Sequence, residues 1–186
     1  MTVGVLVLAA GQSVRFGSDK RLALMTDGRQ LIEATLTAVR ESGLPAYVCV
    51  GEEDQHLGEQ LRSSGQSVYR CKRSREGMGS TLAEGISMLP EWEGVLIALA
   101  DMPWIQATTY QLVAERINGS AICAPSYQGQ RGHPVGFGKN HWPALAALSG
   151  PTGAAGLIKS QGQWVELIAT DDPGIVRDVD RPADLS

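Results

Sequence analysis

The sequence is short of cysteine, and the three it has, Cys49, Cys71 and Cys123, stand singly in apolar runs rather than in CxxC pairs. That spacing argues against a structural zinc site or a disulfide framework and suits reduced, buried thiols. Long apolar runs are also missing. "MTVGVLVLAAG" reaches glycine early and lacks a charged leader, so it reads as a first core strand rather than a signal peptide or membrane span. The expected setting is cytoplasmic, with no membrane partner. Positive charge is not in excess: 16 Lys and Arg against 20 Asp and Glu give a formal net charge of -4, which lacks the basic field that grips nucleic acid. No repeat, low-complexity tract or Pro/Ser-rich linker divides the chain, so its 186 residues read as one domain, 1–186, large enough for a substantial core.

What is present is an alternation. Apolar runs of strand length recur as "VGVLVLAA", "AYVCVG", "SVYRC", "GVLIALA", "SAICAP" and "PVGFG", mostly separated by stretches of helical period. Helices are expected within 30–42, 54–62, 80–88, 107–117, 141–148 and 152–160. This pattern predicts an α/β fold of three layers, with a mostly parallel sheet between helices and an antiparallel strand from "HPVGF". The glycine-dense loops "AAGQSVRFGS", "REGMGST", "YQGQRGHP" and "SGPTGAAG" nearly all follow strands or precede helices. Ligands of open α/β sheets bind at the carboxyl ends of strands, so these loops are expected to meet at one crevice.

The stretch "VLVLAAGQSVRFGSDKRL", Val5 to Leu22, runs from strand into a loop with two glycines, an arginine and a lysine. Glycine permits positive φ and puts no side chain in the way, so backbone N–H groups can close on a phosphate. Two familiar phosphate loops are excluded: five residues separate Gly11 from Gly17, which breaks GxGxxG, and no Lys-Ser/Thr pair follows Gly17, which breaks the P-loop. Further on, "GVLIALADMPWI" places Asp101 at the carboxyl end of a strand, and Met102-Pro103 blocks a direct helical continuation. A carboxylate there suits Mg²⁺, which takes oxygen ligands and shares them with substrate phosphates; the residues between it and 106–109 make it a poor helix cap. "DVD" offers two more carboxylates, Asp178 and Asp180, which share one face of an extended strand, so spacing does not choose between them. Asp180 also fits a plain turn before Arg181-Pro182.

"GMGST" reads as a pliable approach to a helix starting near Ser80 or Thr81, with Ser80 a candidate N-cap and the first amides available to an anion. The preceding Lys72, Arg73 and Arg75 fit a solvated face, or a field that steers an anionic substrate. His133 in "RGHPV" fits binding or loop shaping better than proton abstraction.

Taken together, Leu8, Ala9, Ala10, Gly11, Ser13, Arg15, Phe16, Gly17 and Lys20 form L-A-A-G-x-S-x-R-F-G-x-x-K, which resembles the signature of the MobA-like nucleotidyltransferases, particularly their molybdenum cofactor cytidylyltransferase branch. "GMGSTL", "LADMPWI", "RGHPVGF" and "DVDRPADL" are similar to that family's later motifs in the same order, so the resemblance covers nearly the whole chain. It implies a Rossmann-like nucleotidyltransferase fold, and transfer of CMP from CTP to the terminal phosphate of molybdopterin cofactor with release of pyrophosphate. It assigns nucleotide contacts to Leu8, Ala9, Ala10, Gly11, Arg15, Lys20 and Asp101, and catalysis to Lys20, Arg15 and Asp101. Mg²⁺ would be held by Asp101 and, from the family's Asp-hydrophobic-Asp-x-Pro pattern, Asp180. Acceptor contacts would fall to Gly77, Gly79, Ser80, Thr81, Arg131 and His133, and a molybdoenzyme would receive the product. The related guanylyltransferases carry a turn like Leu-Ala-Gly-Gly; here Ala10 adds one methyl group, which favours the smaller cytosine. GTP as donor, a sugar phosphate as acceptor, or a non-catalytic cofactor chaperone are the competing readings. The chain departs from the family pattern at "LALMTDGRQLI", which bears on the shape of that loop.

Overall fold

The computed structural model describes residues 1–11 and 16–186. Eight strands form one sheet: β1 (Val3–Leu8), β2 (Ala46–Gly51), β3 (Ser67–Cys71), β4 (Gly94–Leu99), β5 (Ile122–Tyr127), β6 (Gln130–Arg131), β7 (Val135–Gly138) and β8 (Val165–Ala169). Their order is β3-β2-β1-β4-β7-β5-β6, with β8 paired to β5. β3, β2, β1 and β4 run parallel, and so do β5 and β8. β7 runs antiparallel to both β4 and β5, as "HPVGF" led one to expect.

The strands are apolar on both faces because helices cover both. Along β1, Val3, Val5 and Val7 face one layer while Leu6 and Leu8 face the other, the period-2 alternation of a pleated strand. The first layer receives α1 (Leu31–Glu41), α2 (Gln55–Ser63) and α4 (Ala107–Ala114) through residues such as Leu36, Leu57 and Val113. The second receives α3 (Met78–Met88), α5 (Trp142–Ala146) and α6 (Ala155–Ser160) through Leu82, Leu145 and Ile158. The three cysteines are buried and free. Among the described residues, no helix is long and apolar enough to cross a membrane.

Several boundaries differ from the sequence reading. α3 begins at Met78, ahead of Ser80, with Gly77 at its N-cap position. α4 stops at Ala114 and α6 starts only at Ala155, because bends and short turns replace the outer ends of the expected helices. β8 carries exposed residues at Glu166, Leu167 and Ala169, so its sequence lacks the continuous apolar run of the central strands.

The chain crosses between β1 and β4, which lie side by side but continue to opposite sides of the sheet, and this reversal opens a crevice at their carboxyl ends. A buried carboxylate ties the segment after β4 to the segment after β8. Asp172, 2% exposed, accepts from Gln106 N at 2.8 Å, Thr109 Oγ1 at 2.6 Å and Gly174 N at 2.9 Å. It thereby caps α4 and fixes the 173–176 turn, whose Ile175 carbonyl accepts from His133 N at 2.9 Å. Asp172→Ala leaves these buried donors unpaired and is expected to lower unfolding stability by about 2–4 kcal/mol; the shift of the urea midpoint at unchanged slope measures it.

Candidate functional site

The crevice is a cavity of about 390 Å³, lined on one side by Leu8 to Gly11 as the chain leaves β1 and on the other by Leu99 to Asp101 as it leaves β4. Backbone pairing carries both strand ends to its edge: Ala9 N donates to Cys49 O at 2.8 Å, and Ala100 N to Leu8 O at 3.1 Å. Ladder bonding stops there. Among the described residues, the amides of Ala10 and Gly11 make no backbone bond, which leaves two donors at the mouth of the cavity.

Lys20 projects from a short 3₁₀ turn, Lys20–Leu22, capped by Asp19. Its Nζ donates to Asp101 Oδ2 at 2.7 Å and to Val179 O at 2.8 Å, and lies 3.6 Å from Asp180 Oδ1. Val179 N returns a bond to Asp101 O at 2.9 Å, which ties the C-terminal "DVD" segment to the end of β4. Asp101, Asp178 and Asp180 consequently bring carboxylate oxygens within 4.8 Å of one another. The Asp178 carboxyl is pushed above its usual range, first by burial and then by the charges of Asp101 and Asp180. An all-oxygen group of carboxylates suits a hard divalent cation. The family resemblance singles out Asp180, and the structure gathers both Asp178 and Asp180 beside Asp101.

Arg15 lies outside the described residues. Of the residues expected to meet the acceptor, Gly77 and Thr81 line the cavity. Gly79 and Ser80 turn inward instead. A Cβ on Gly79 would sit 2.5 Å from Thr152 O, and Ser80, fully buried, donates to Glu76 Oε2 at 2.7 Å and accepts from Gly150 N at 3.1 Å. The glycines of "GMGST" thus admit the protein's own 149–152 loop, and Ser80 clamps that loop in place of capping α3. Arg131 and His133 line a second, largely apolar cavity of about 230 Å³ that shares Leu8, Met78 and Leu99 with the first. Burial holds the His133 imidazole below the usual histidine range, which favours the neutral ring at neutral pH.

The sequence reading missed Arg21, Glu53 and Ser74, which also line the first cavity. Arg75, read only as part of a basic run, does so too and pairs with Glu53 at 3.5 Å. Arg21 is buried between Asp19 and Asp54, which push its pKa up; in "DKR" it looks like one more solvated cation, and its partner Asp54 lies 33 residues away.

Relatives of known name match along most of the chain. The purine catabolism protein PucB of Bacillus subtilis (strain 168) is 28% identical over 199 residues, covering 97% of this chain and 92% of that one. The nicotine blue oxidoreductase of Paenarthrobacter nicotinovorans is 27% identical over 186 residues, covering 95% and 91%. Among solved structures, Rv0371c from Mycobacterium tuberculosis H37Rv superposes with a TM-score of 0.84 at 25% identity, covering 99% of this chain and 95% of that one; the same protein has been crystallised in complex with manganese. Residues 5–166, which hold both walls of the cleft, match the family model of the MobA-like NTP transferase domain. On that match, the chain belongs to the MobA-like NTP transferase family of nucleotidyltransferases.

Proposed function

We propose that this nucleotidyltransferase moves CMP from CTP to the terminal phosphate of molybdopterin cofactor. The observation that carries the reading is Lys20, held at 2.7 Å from Asp101 and beside Asp180, at the edge of a cavity whose other wall is the Leu8–Ala9–Ala10–Gly11 turn. A triphosphate entering this cavity meets backbone amides on one side and a lysine with a carboxylate group on the other, the pairing that phosphoryl chemistry needs.

In the proposed reaction a terminal phosphate oxygen of the acceptor attacks the α-phosphorus of CTP. The bond from that phosphorus to the β-phosphate breaks, and pyrophosphate leaves with the electron pair. The acceptor phosphate is already ionised near neutral pH, so no general base is required, in keeping with a neutral His133. Ala10 and Gly11 amides hold the nucleotide, while Lys20 and Arg15 stabilise charge building on the α-phosphate and the departing pyrophosphate. Asp101 and Asp180, with Asp178 adjoining, would hold Mg²⁺, and their oxygen-only donor set fits it. When bound, the metal offsets the charge of triphosphate and pyrophosphate; the manganese complex of Rv0371c supports a divalent cation in this fold. The second cavity, apolar with Arg131 at its rim, fits a ring system bearing a phosphate. The product would pass to a molybdoenzyme in the cytoplasm.

Pyrophosphate release measured with a panel of nucleotides and purified molybdenum cofactor tests the assignment. CTP is expected to exceed GTP in kcat/KM by about 10- to 200-fold, the worth of one steric contact, and Ala10→Gly to narrow that ratio; preference for GTP in the unmutated protein would overturn it.

Asp101→Asn substitutes a weaker metal ligand and is expected to reduce turnover by at least about 100-fold with the far-UV circular dichroism unchanged. Near-normal metal-dependent turnover by that variant would remove Asp101 from the metal site. Lys20→Ala is expected to lower kcat by about 100-fold and to change KM far less, because its contact strengthens as charge develops. A raised KM at unchanged kcat would make Lys20 a binding residue only.

A further inference from the structure

We propose that Arg21 is a positioning residue that aims and polarises the Ala10 amide toward the nucleotide. Every N–H of the guanidinium has an acceptor. Nε and Nη2 donate to the two oxygens of Asp19, each at 2.8 Å, and Nη2 and Nη1 to the two oxygens of Asp54 at 2.8 and 2.6 Å. The remaining donor, on Nη1, reaches Ala9 O at 2.5 Å. Two carboxylates already neutralise the buried cation, so charge balance does not require the bond to a neutral carbonyl. It does determine something else.

Ala9 O and Ala10 N–H belong to one planar trans peptide, so they point in opposite directions. Drawing the carbonyl toward Arg21 turns the Ala10 N–H away from it. The peptide before it is fixed to the neighbouring strand, where Ala9 N donates to Cys49 O at 2.8 Å, so the Arg21 bond is the contact that sets the orientation of the Ala9–Ala10 peptide. Ala10 lines the cavity, and its amide has no protein acceptor among the described residues. A charged donor on the carbonyl also polarises the peptide and strengthens its N–H as a donor. Asp54 Oδ2 also accepts from Gly51 N at 2.9 Å at the end of β2.

Arg21 and Lys20 share one turn but act on different parts of the site. Lys20 is separately fixed by Asp101 and Val179 O, so loss of the Ala9 contact should weaken nucleotide binding more than it slows chemistry.

The inference rests on a nucleoside triphosphate occupying the first cavity, and the experiment separates the two. Arg21→Lys retains the charge and loses the fork. It is expected to raise the CTP KM about tenfold, the worth of one ligand hydrogen bond, with kcat within about threefold. Asp54→Asn disrupts the same buried ion pair but leaves the bond to Ala9; it is expected to lower Tm while holding KM within about twofold. A purely structural role for Arg21 predicts that KM tracks Tm in both variants, and that result overturns the proposal. In ¹H–¹⁵N spectra the Ala10 amide proton should move upfield in Arg21→Lys without nucleotide, and its failure to move overturns the polarisation. In the unmutated protein, CTP with magnesium should shift the Ala10 amide; binding without such a shift overturns the aiming role whether or not the variants fold. Unmutated protein that binds neither CTP nor GTP overturns the reading of the cavity, and with it the aiming role; the nucleotide-free Ala10 shift still decides the polarisation.

Discussion

Charge balance in one short turn organises the cleft. Lys20 and Arg21 are neighbours in sequence, yet one reaches Asp101 just after β4 and Asp180 in the C-terminal segment, and the other reaches the adjoining Asp19 and Asp54 just after β2. Each acidic group would be costly to hold together without its cation, because carboxylates this close repel and partial burial weakens the screening. The turn therefore acts as a rivet through three strand ends. The two halves differ in build: every N–H of Arg21 has an acceptor, whereas beside Lys20 three carboxylates lie together. The first is suited to hold shape and the second to recruit a metal ion.

Position in the sheet explains why this occurs where it does. β1 and β4 end side by side at the point where the chain order reverses, and the loops leaving them must diverge. Among the described residues, backbone donors that would have continued the ladder have no backbone acceptor. The apolar alternation that buries β1 on both faces holds this edge rigidly, so small polar groups at its end are placed with strand-like accuracy.

Much of this was legible in the residues. The runs that became β1 to β5 and β7 are apolar and bounded by glycine or proline, and the period of the intervening segments marked the helices. Lys20 and Asp101 stood out because each sits at a fixed place in a short local pattern. What escaped depends on distant partners. Nothing near Asp172 announces that it caps a helix 66 residues earlier, and nothing in "DKR" marks Arg21 for burial beside Asp54. Ser80 shows the opposite difficulty: a local pattern that suits a helix start or an anion site equally well serves here to grip Gly150. β8 was missed because an outer strand with one wet face offers only a weak alternation.

The bond between Lys20 and Val179 joins residues 159 positions apart. Closing so long a loop is entropically costly and brings its reward only when both ends are already supported, so contacts of this kind form late in folding. The acidic group is assembled by the same closure. A partly folded chain could hold much of its sheet and both helical layers while having no place for a metal ion, and would be chemically silent. Turnover would then report that the last segment has docked, a sharper measure of native assembly than secondary structure.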